Sequence, residues 1–257
     1  MKKPGETMEI IPDRGFLDHL EELRSELLKI GLCFLLWCIP AWYFSEKVLT
    51  SLLHYAAPEG FALHYFTLME PFLTRMKITL MLALLGSLPW TLFRIWRFIS
   101  PALMEEEKKA LLLPLGSVFF LALLGGGISL FFVVPSLIGF SLSFAGDALR
   151  PVIGIGDFVS MILMVLLAGM GLFQFPMVLY VLLVLGVTDV NSVRKKRPYI
   201  VVLIFILAAV FSPPDVVSQL LLAFPACILF ELSLLLFSLR KEKEDHSYEE
   251  IYGENNP

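Results

Sequence analysis

Long apolar stretches constrain this chain more than any other feature. Six of them fall at roughly residues 27–44, 72–93, 110–134, 158–187, 199–211 and 216–239. Most reach the ~20 residues an α-helix needs to cross ~30 Å of hydrocarbon. Their polar and apolar residues do not alternate, as they would along the strands of an outer-membrane barrel. At 57% apolar and a mean hydropathy of +0.78, the chain is too apolar for a soluble domain. The expected fold class is an all-α integral membrane protein of six transmembrane helices. It forms one domain over 1–240, with a charged tail at 241–257 expected to be disordered. Mostly polar residues precede the first stretch and no small-residue cleavage site closes it, so no cleavable signal peptide is expected.

The fifth stretch has 13 residues, and at ~1.5 Å per residue it covers only about 20 Å. Ser212-Pro213-Pro214-Asp215 joins it to the sixth as a tight turn. The two are expected to form a short helical hairpin, where the bilayer thins or polar groups are drawn inward. Pro40, Pro89, Pro114, Pro176 and Pro225 fall inside apolar stretches and predict kinked helices rather than a straight bundle. Gly125-Gly126-Gly127 marks a break or a close packing contact. The loops at 45–71 and 135–157 contain aromatics and prolines and are expected to form ordered caps.

Lys and Arg set the orientation. Sixteen of them fall in the N-terminal segment, the loops after the second and fourth stretches, and the tail; only Lys47 and Arg150 fall in the other two loops. Both termini are therefore expected to be cytoplasmic. Arg75 and Lys77 lie at the outer end of the second stretch, from which they are expected to snorkel outward. Cys33, Cys38 and Cys227 lack metal-ligand spacing and read as small buried hydrophobes.

Just before the first apolar stretch comes FLDHLEELRSELL, residues 16–28. Phe16, Leu20, Leu23, Leu27 and Ile30 recur at helical spacing as one narrow stripe. The expectation is a helix lying on the membrane. Asp18, Glu21, Glu22 and Glu26 crowd the rest of its wheel, whereas a surface helix that meets anionic lipid is usually basic. Such a helix suits a positively charged partner, or else is a solvated face with internal Glu–Lys pairs.

Catalytic chemistry finds little support. Gly154-Ile155-Gly156-Asp157 matches a GxGD pattern, but aspartyl protease chemistry needs a second aspartate in the membrane and no apolar stretch carries one. Asp157 suits a helix N-cap instead. His19, His54, His64 and His246 all lie outside the apolar stretches, which argues against an intramembrane serine protease. There is no metal cluster and no phosphate loop, so neither an enzyme nor a cofactor is expected. Gln174, Gln219 and Glu231 are polar residues inside apolar stretches. They serve interhelical hydrogen bonding or a transport role.

Several motifs in order resemble the TatC family, the multispanning subunit of the twin-arginine protein translocase. His19-Leu20-Glu21-Glu22-Leu23-Arg24 is similar to its N-terminal HLxELR motif, and Glu70-Pro71-Phe72 with Lys77 to its PF…K element. Phe98-Ile99-Ser100-Pro101-Ala102-Leu103 with Glu107-Lys108-Lys109 resembles its first cytoplasmic loop, and Phe131 to Pro135 its aromatic end of the third span. Arg194-Lys195-Lys196-Arg197-Pro198-Tyr199, Ser212-Pro213-Pro214-Asp215, Ser218-Gln219 and Phe230-Glu231 resemble the last hairpin. The resemblance covers about Phe16 to Arg240.

This resemblance implies a receptor for signal peptides that carry two consecutive arginines, working without enzymatic turnover on the proton-motive force. The positions matching the family's acidic pair are Glu22 and Glu107, with Leu23 and Arg24 positioning the site and Lys108 and Lys109 holding the Glu107 carboxylate. Guanidinium pairs bidentately with carboxylate and ammonium cannot reproduce that fork. The resemblance also implies TatA- and TatB-like single-span partners at the last hairpin, with Gln219, Ser212 and Asp215 as contacts, self-association, a concave arrangement and a bacterial inner membrane. In the fourth span the family commonly carries a glutamate before the proline; this chain has Gln174-Phe175-Pro176, which cannot titrate. A six-span secondary solute transporter is the alternative, although the internal repeats common in that class are absent. A structural scaffold is a third reading, one that expects no preference for arginine-bearing peptides.

Overall fold

The computed structural model describes residues 14–56, 63–144, 152–211 and 216–253, nearly all of them helical. Helix α1 (Arg14–Ala56) runs 43 residues without a break. The stretch expected on the membrane surface is thus the opening of the first long helix. Nothing between Leu20 and Ile30 ends a helix: there is no glycine or proline, and Leu, Glu, Arg and Lys dominate. At its far end α1 continues eleven residues past Ser45, into the span expected to be loop.

Helix α2 (Glu70–Ile99) has Pro71 in its first turn, where the missing N–H costs nothing. It returns antiparallel to α1: Trp42 meets Phe72 edge-on at 5.9 Å near one end, and Glu26 meets Arg94 near the other. A 3-10 turn at Ser100–Ala102, containing Pro101, leads into α3 (Glu105–Ile128). That helix widens into a π turn at Ser129–Val133 and continues as α4 (Val134–Ser143). Pro135, in the first turn of α4, has no N–H to donate to the preceding turn, and the π turn absorbs that mismatch.

The strand β1 (Leu63–His64) pairs in parallel with β2 (Ile153–Gly154), so the described parts of the two long loops are tied together. The fourth apolar stretch then forms α5 (Ile155–Leu172) and α6 (Phe175–Val184), interrupted at Phe173 and Gln174. Pro176 cannot donate to the turn before it, so the expected kink is a full interruption here. In contrast, α1 and α2 continue through Pro40 and Pro89.

A short helix α7 (Val190–Lys195) precedes α8 (Arg197–Phe211) and α9 (Val216–Gly253). Among the described residues, five segments are long and apolar enough to cross a membrane: Leu20–Ala56, Glu70–Ile99, Glu107–Ser143, Ile155–Val184 and Val216–Ser238. The fifth stretch, expected to be short, forms a shorter apolar helix, Arg197–Val210. Helix α9 carries on through residue 253 in place of the disordered tail expected from 241. In the sequence there Lys241 stands three residues before Glu244 and four before Asp245, a spacing that favours helix. Residues 254–257 lie outside the described residues.

The core sits around α5. Phe158, Val159, Ile162, Val165 and Phe173 are buried, packing with Ile204 and Ala208 of α8 and Leu222, Ala226 and Phe230 of α9. A Cβ on Gly125 would strike the carbonyl oxygen of Gly169, and one on Gly169 would strike Ser129 Oγ and the Gly125 carbonyl. The triple glycine is therefore a close crossing of α3 and α5, and not a break. Helix α1 packs chiefly on α2, and Leu27, Leu35 and Tyr43 remain exposed. All three cysteines are half-buried rather than buried.

Candidate functional site

The start of α1, the end of α2 and the start of α3 lie at one end of the molecule, a consequence of the antiparallel α1–α2 pair. Glu22, Leu23 and Arg24 are exposed there on α1. One turn on, Glu26 is buried against Arg94 of α2. Arg94 Nη2 donates to Glu26 Oε1 at 2.6 Å, and Nε lies 2.5 Å from Oε2. This is a two-contact fork between side chains exposed by only 7% and 10%. Lys29 adds a third cationic contact to Oε1 at 3.2 Å, and the Arg94 guanidinium lies 5.9 Å from the Trp90 ring centre. Sequence reasoning missed this pair. Its sequence signal is one charge at the margin of each of two successive apolar stretches, Glu26 before the first and Arg94 after the second.

Glu107 is half-buried in the first turn of α3, and its Oε2 accepts the backbone N–H of Met104 at 2.8 Å. That contact closes the N-terminal turn. Lys108 does not hold it. Its Nζ bonds Glu105 Oε1 at 2.8 Å, and this bond and charge keep the Glu105 carboxyl below the usual carboxylate range. Residues three apart share a helix face and adjacent residues do not, so Lys108 reaches back to Glu105. Lys109 is exposed.

The intramembrane polar residues find partners on neighbouring helices. Gln174, at the α5–α6 interruption, donates Nε2–H to the Val118 carbonyl of α3 at 3.0 Å. Gln219 of α9 donates to the Phe205 carbonyl of α8 at 3.1 Å. Glu231 of α9 pairs with Arg197 at the start of α8, 2.7 Å apart. The remaining hairpin candidates, Ser212, Pro213, Pro214 and Asp215, lie outside the described residues.

The profile of the family described as Sec-independent protein translocase protein (TatC) matches residues 18–225. The chain belongs to the TatC family. It is 33% identical over 234 residues to the TatC of Haemophilus influenzae, covering 90% of this chain and 91% of that one. Against the TatC of Escherichia coli K12 the identity is 30% over 230 residues, covering 88% and 89%. A crystal structure described as the twin-arginine translocase receptor TatC in DDM superposes with a TM-score of 0.75 at 31% identity, covering 85% of this chain and 98% of that one. This TatC protein is accordingly a multi-pass membrane component of the Sec-independent translocase.

At the other end of this TatC protein, Glu70 ties the two loops to α5. Its Oε2 accepts the Phe66 N–H at 2.7 Å, and its Oε1 accepts the Gly156 N–H at 2.7 Å. A Cβ on Gly156 would meet Glu70 Cγ at 2.7 Å, so the GxGD glycine serves this close approach. Asp157 lies in the first turn of α5, and Gly154, not Asp157, is the N-cap residue. Neither basic residue of the second stretch merely snorkels. Lys77 Nζ bonds Ser160 Oγ at 2.7 Å. Arg75 stacks 4.8 Å from the Trp42 ring centre and pairs with Glu46 at 3.5 Å.

Proposed function

We propose that this TatC protein is the receptor subunit of a twin-arginine translocase. It binds signal peptides of folded cargo at its cytoplasmic face, with Glu22 and Glu107 each taking one guanidinium. The observation that carries this reading is the placing of Glu22 on α1 and Glu107 on α3 at one end of the molecule, in the sequence contexts that resemble the family's acidic pair. Glu107 has one oxygen engaged by the Met104 N–H, which orients its carboxylate before any peptide arrives. Exposed Leu23, Arg24 and Lys109 frame the approach. The match to a structure described as a twin-arginine translocase receptor supports the assignment.

In this reading the chain spans a bacterial inner membrane six times, with both termini cytoplasmic and α8 as the fifth, short span. TatA- and TatB-like single-span proteins gather at the α8–α9 hairpin around residues 212–215, and export draws on the proton-motive force. Gln219 holds α8 against α9 through the Phe205 carbonyl and so shapes that face.

The test is binding of a twin-arginine signal peptide to the purified protein, beside the same peptide with both arginines changed to lysine. Preference for the arginine form, falling about tenfold or more in Glu22→Ala and in Glu107→Ala, is expected; a factor of ten is ~1.4 kcal/mol. Equal binding of both peptides, with and without a co-expressed TatB-like partner, defeats the reading.

A further inference from the structure

A second charged site lies away from Glu22 and Glu107. Arg194, Arg197 and Glu231 line a cleft of about 380 Å³ whose remaining wall includes Ile228, Leu232 and Leu235. Glu231 is nine residues before Arg240 on α9, about 14 Å deeper along the helix at ~1.5 Å per residue. Charged groups at that depth in an otherwise apolar stretch need a polar neighbour. Helix α8 accounts for part of it: with 15 residues, it starts with Arg197 at that depth.

We propose that this cleft binds an anionic phospholipid, with its phosphate between Arg194 and Arg197 and an acyl chain along α9. Three observations favour that occupant. Arg197 pairs with Glu231 through Nη2 at 2.7 Å, which fixes its orientation, and its side chain remains 44% exposed where it lines the cleft. Arg194 is exposed and adds a second guanidinium. Two guanidinium groups against one carboxylate leave the cleft net positive, and forked guanidinium suits phosphate oxygens. Finally, Phe224, Ile228, Leu232 and Leu235 are all exposed at helical spacing on α9, an apolar track that leads to the arginines. A free phosphate ion has no use for such a track; a lipid tail does.

A lipid seated there has its headgroup below the ordinary headgroup plane. The site would thus stabilise thinning of the bilayer beside the short α8, at modest cost per ångström of mismatch.

The experiment measures retention of phosphatidylglycerol by the full chain in detergent, using native mass spectrometry. Phosphatidylcholine and millimolar inorganic phosphate serve as the other arms. Preferential retention of phosphatidylglycerol over phosphatidylcholine is expected, with no displacement by phosphate. Retention falls about tenfold in Arg194→Gln, which leaves the Arg197–Glu231 pair intact, and is unchanged in Lys195→Gln, outside the cleft wall. Equal retention of the two lipids overturns the proposal, as does full displacement by phosphate, which marks a simple anion site. Equal losses in Arg194→Gln and Lys195→Gln also overturn it, because they mark a diffuse basic surface. Signal-peptide binding is unaffected by either variant, so failure here is distinct from failure of the receptor reading.

Discussion

Glu26 and Arg94 join α1 to α2 by a fork of two contacts, 2.5 and 2.6 Å, with both side chains buried. The fork lies one turn beyond Glu22, so it sets the position of that carboxylate on α1 relative to α2. Breaking a buried pair on one side leaves the other charge uncompensated, whereas replacing both partners by apolar groups is often neutral. Arg94→Leu alone is therefore expected to lower the thermal midpoint of the purified protein sharply. The double replacement Glu26→Leu with Arg94→Leu is expected to recover most of the loss. A double variant as unstable as the single one would show that the fork does not hold the helices.

The crossing of α3 and α5 makes a second prediction. A side chain at Gly169 meets Ser129 Oγ and the backbone carbonyl of Gly125, and backbone cannot swing aside. Gly169→Val is expected to cost about 1–3 kcal/mol through overpacking. Gly171→Val serves as the control, since nothing lies within 4 Å of a Cβ there. Equilibrium unfolding in mixed micelles compares the two, and equal costs would sink the explanation.

These two sites divide what the sequence makes legible from what it does not. Apolar length alone located the helices, because spanning hydrocarbon is a one-dimensional requirement. The break at Phe173–Gln174 was foreshadowed by Pro176, and a close crossing was one of two options at Gly125. Pairings between elements were hidden: nothing in a linear reading says that Glu26 faces Arg94, or that Glu70 reaches the Gly156 N–H. Helix boundaries failed where hydropathy and helix propensity part company. Residues 45–56 and 241–253 lie outside the apolar stretches yet are helical, so α1 and α9 extend well beyond them.

Asp189 gives the pH dependence. It caps α7, its Oδ2 accepting the Ser192 N–H at 3.1 Å. Hydrogen bonds from Ser192, side chain first and then backbone, hold its carboxyl below the ordinary range. A lowered folded value means that the cap's contribution is complete above the ordinary carboxylate range, ~4. It is lost as pH falls through the lowered value. Amide protection in α7 is thus expected to hold from pH 7 to 5 and to fall below about 4. Asp189→Ala should show the weaker protection at every pH. Protection lost already between pH 7 and 5 would point to another group.

Gln174 supplies the last prediction. Its Nε2 donates to the Val118 carbonyl at 3.0 Å, across from α6 to α3, where the chain is interrupted before Pro176. An amide there keeps the interruption registered against α3 without carrying charge. Gln174→Leu deletes that bond, which in a membrane setting is worth about 0.6–1 kcal/mol, so the protein should still fold. The larger effect is expected on transport, as a reduced export rate of a twin-arginine reporter at unchanged protein level. Gln174→Glu keeps an acceptor and, when protonated, a donor, and should retain more export than the leucine variant. Export unaffected by Gln174→Leu would reduce this residue to a minor packing contact.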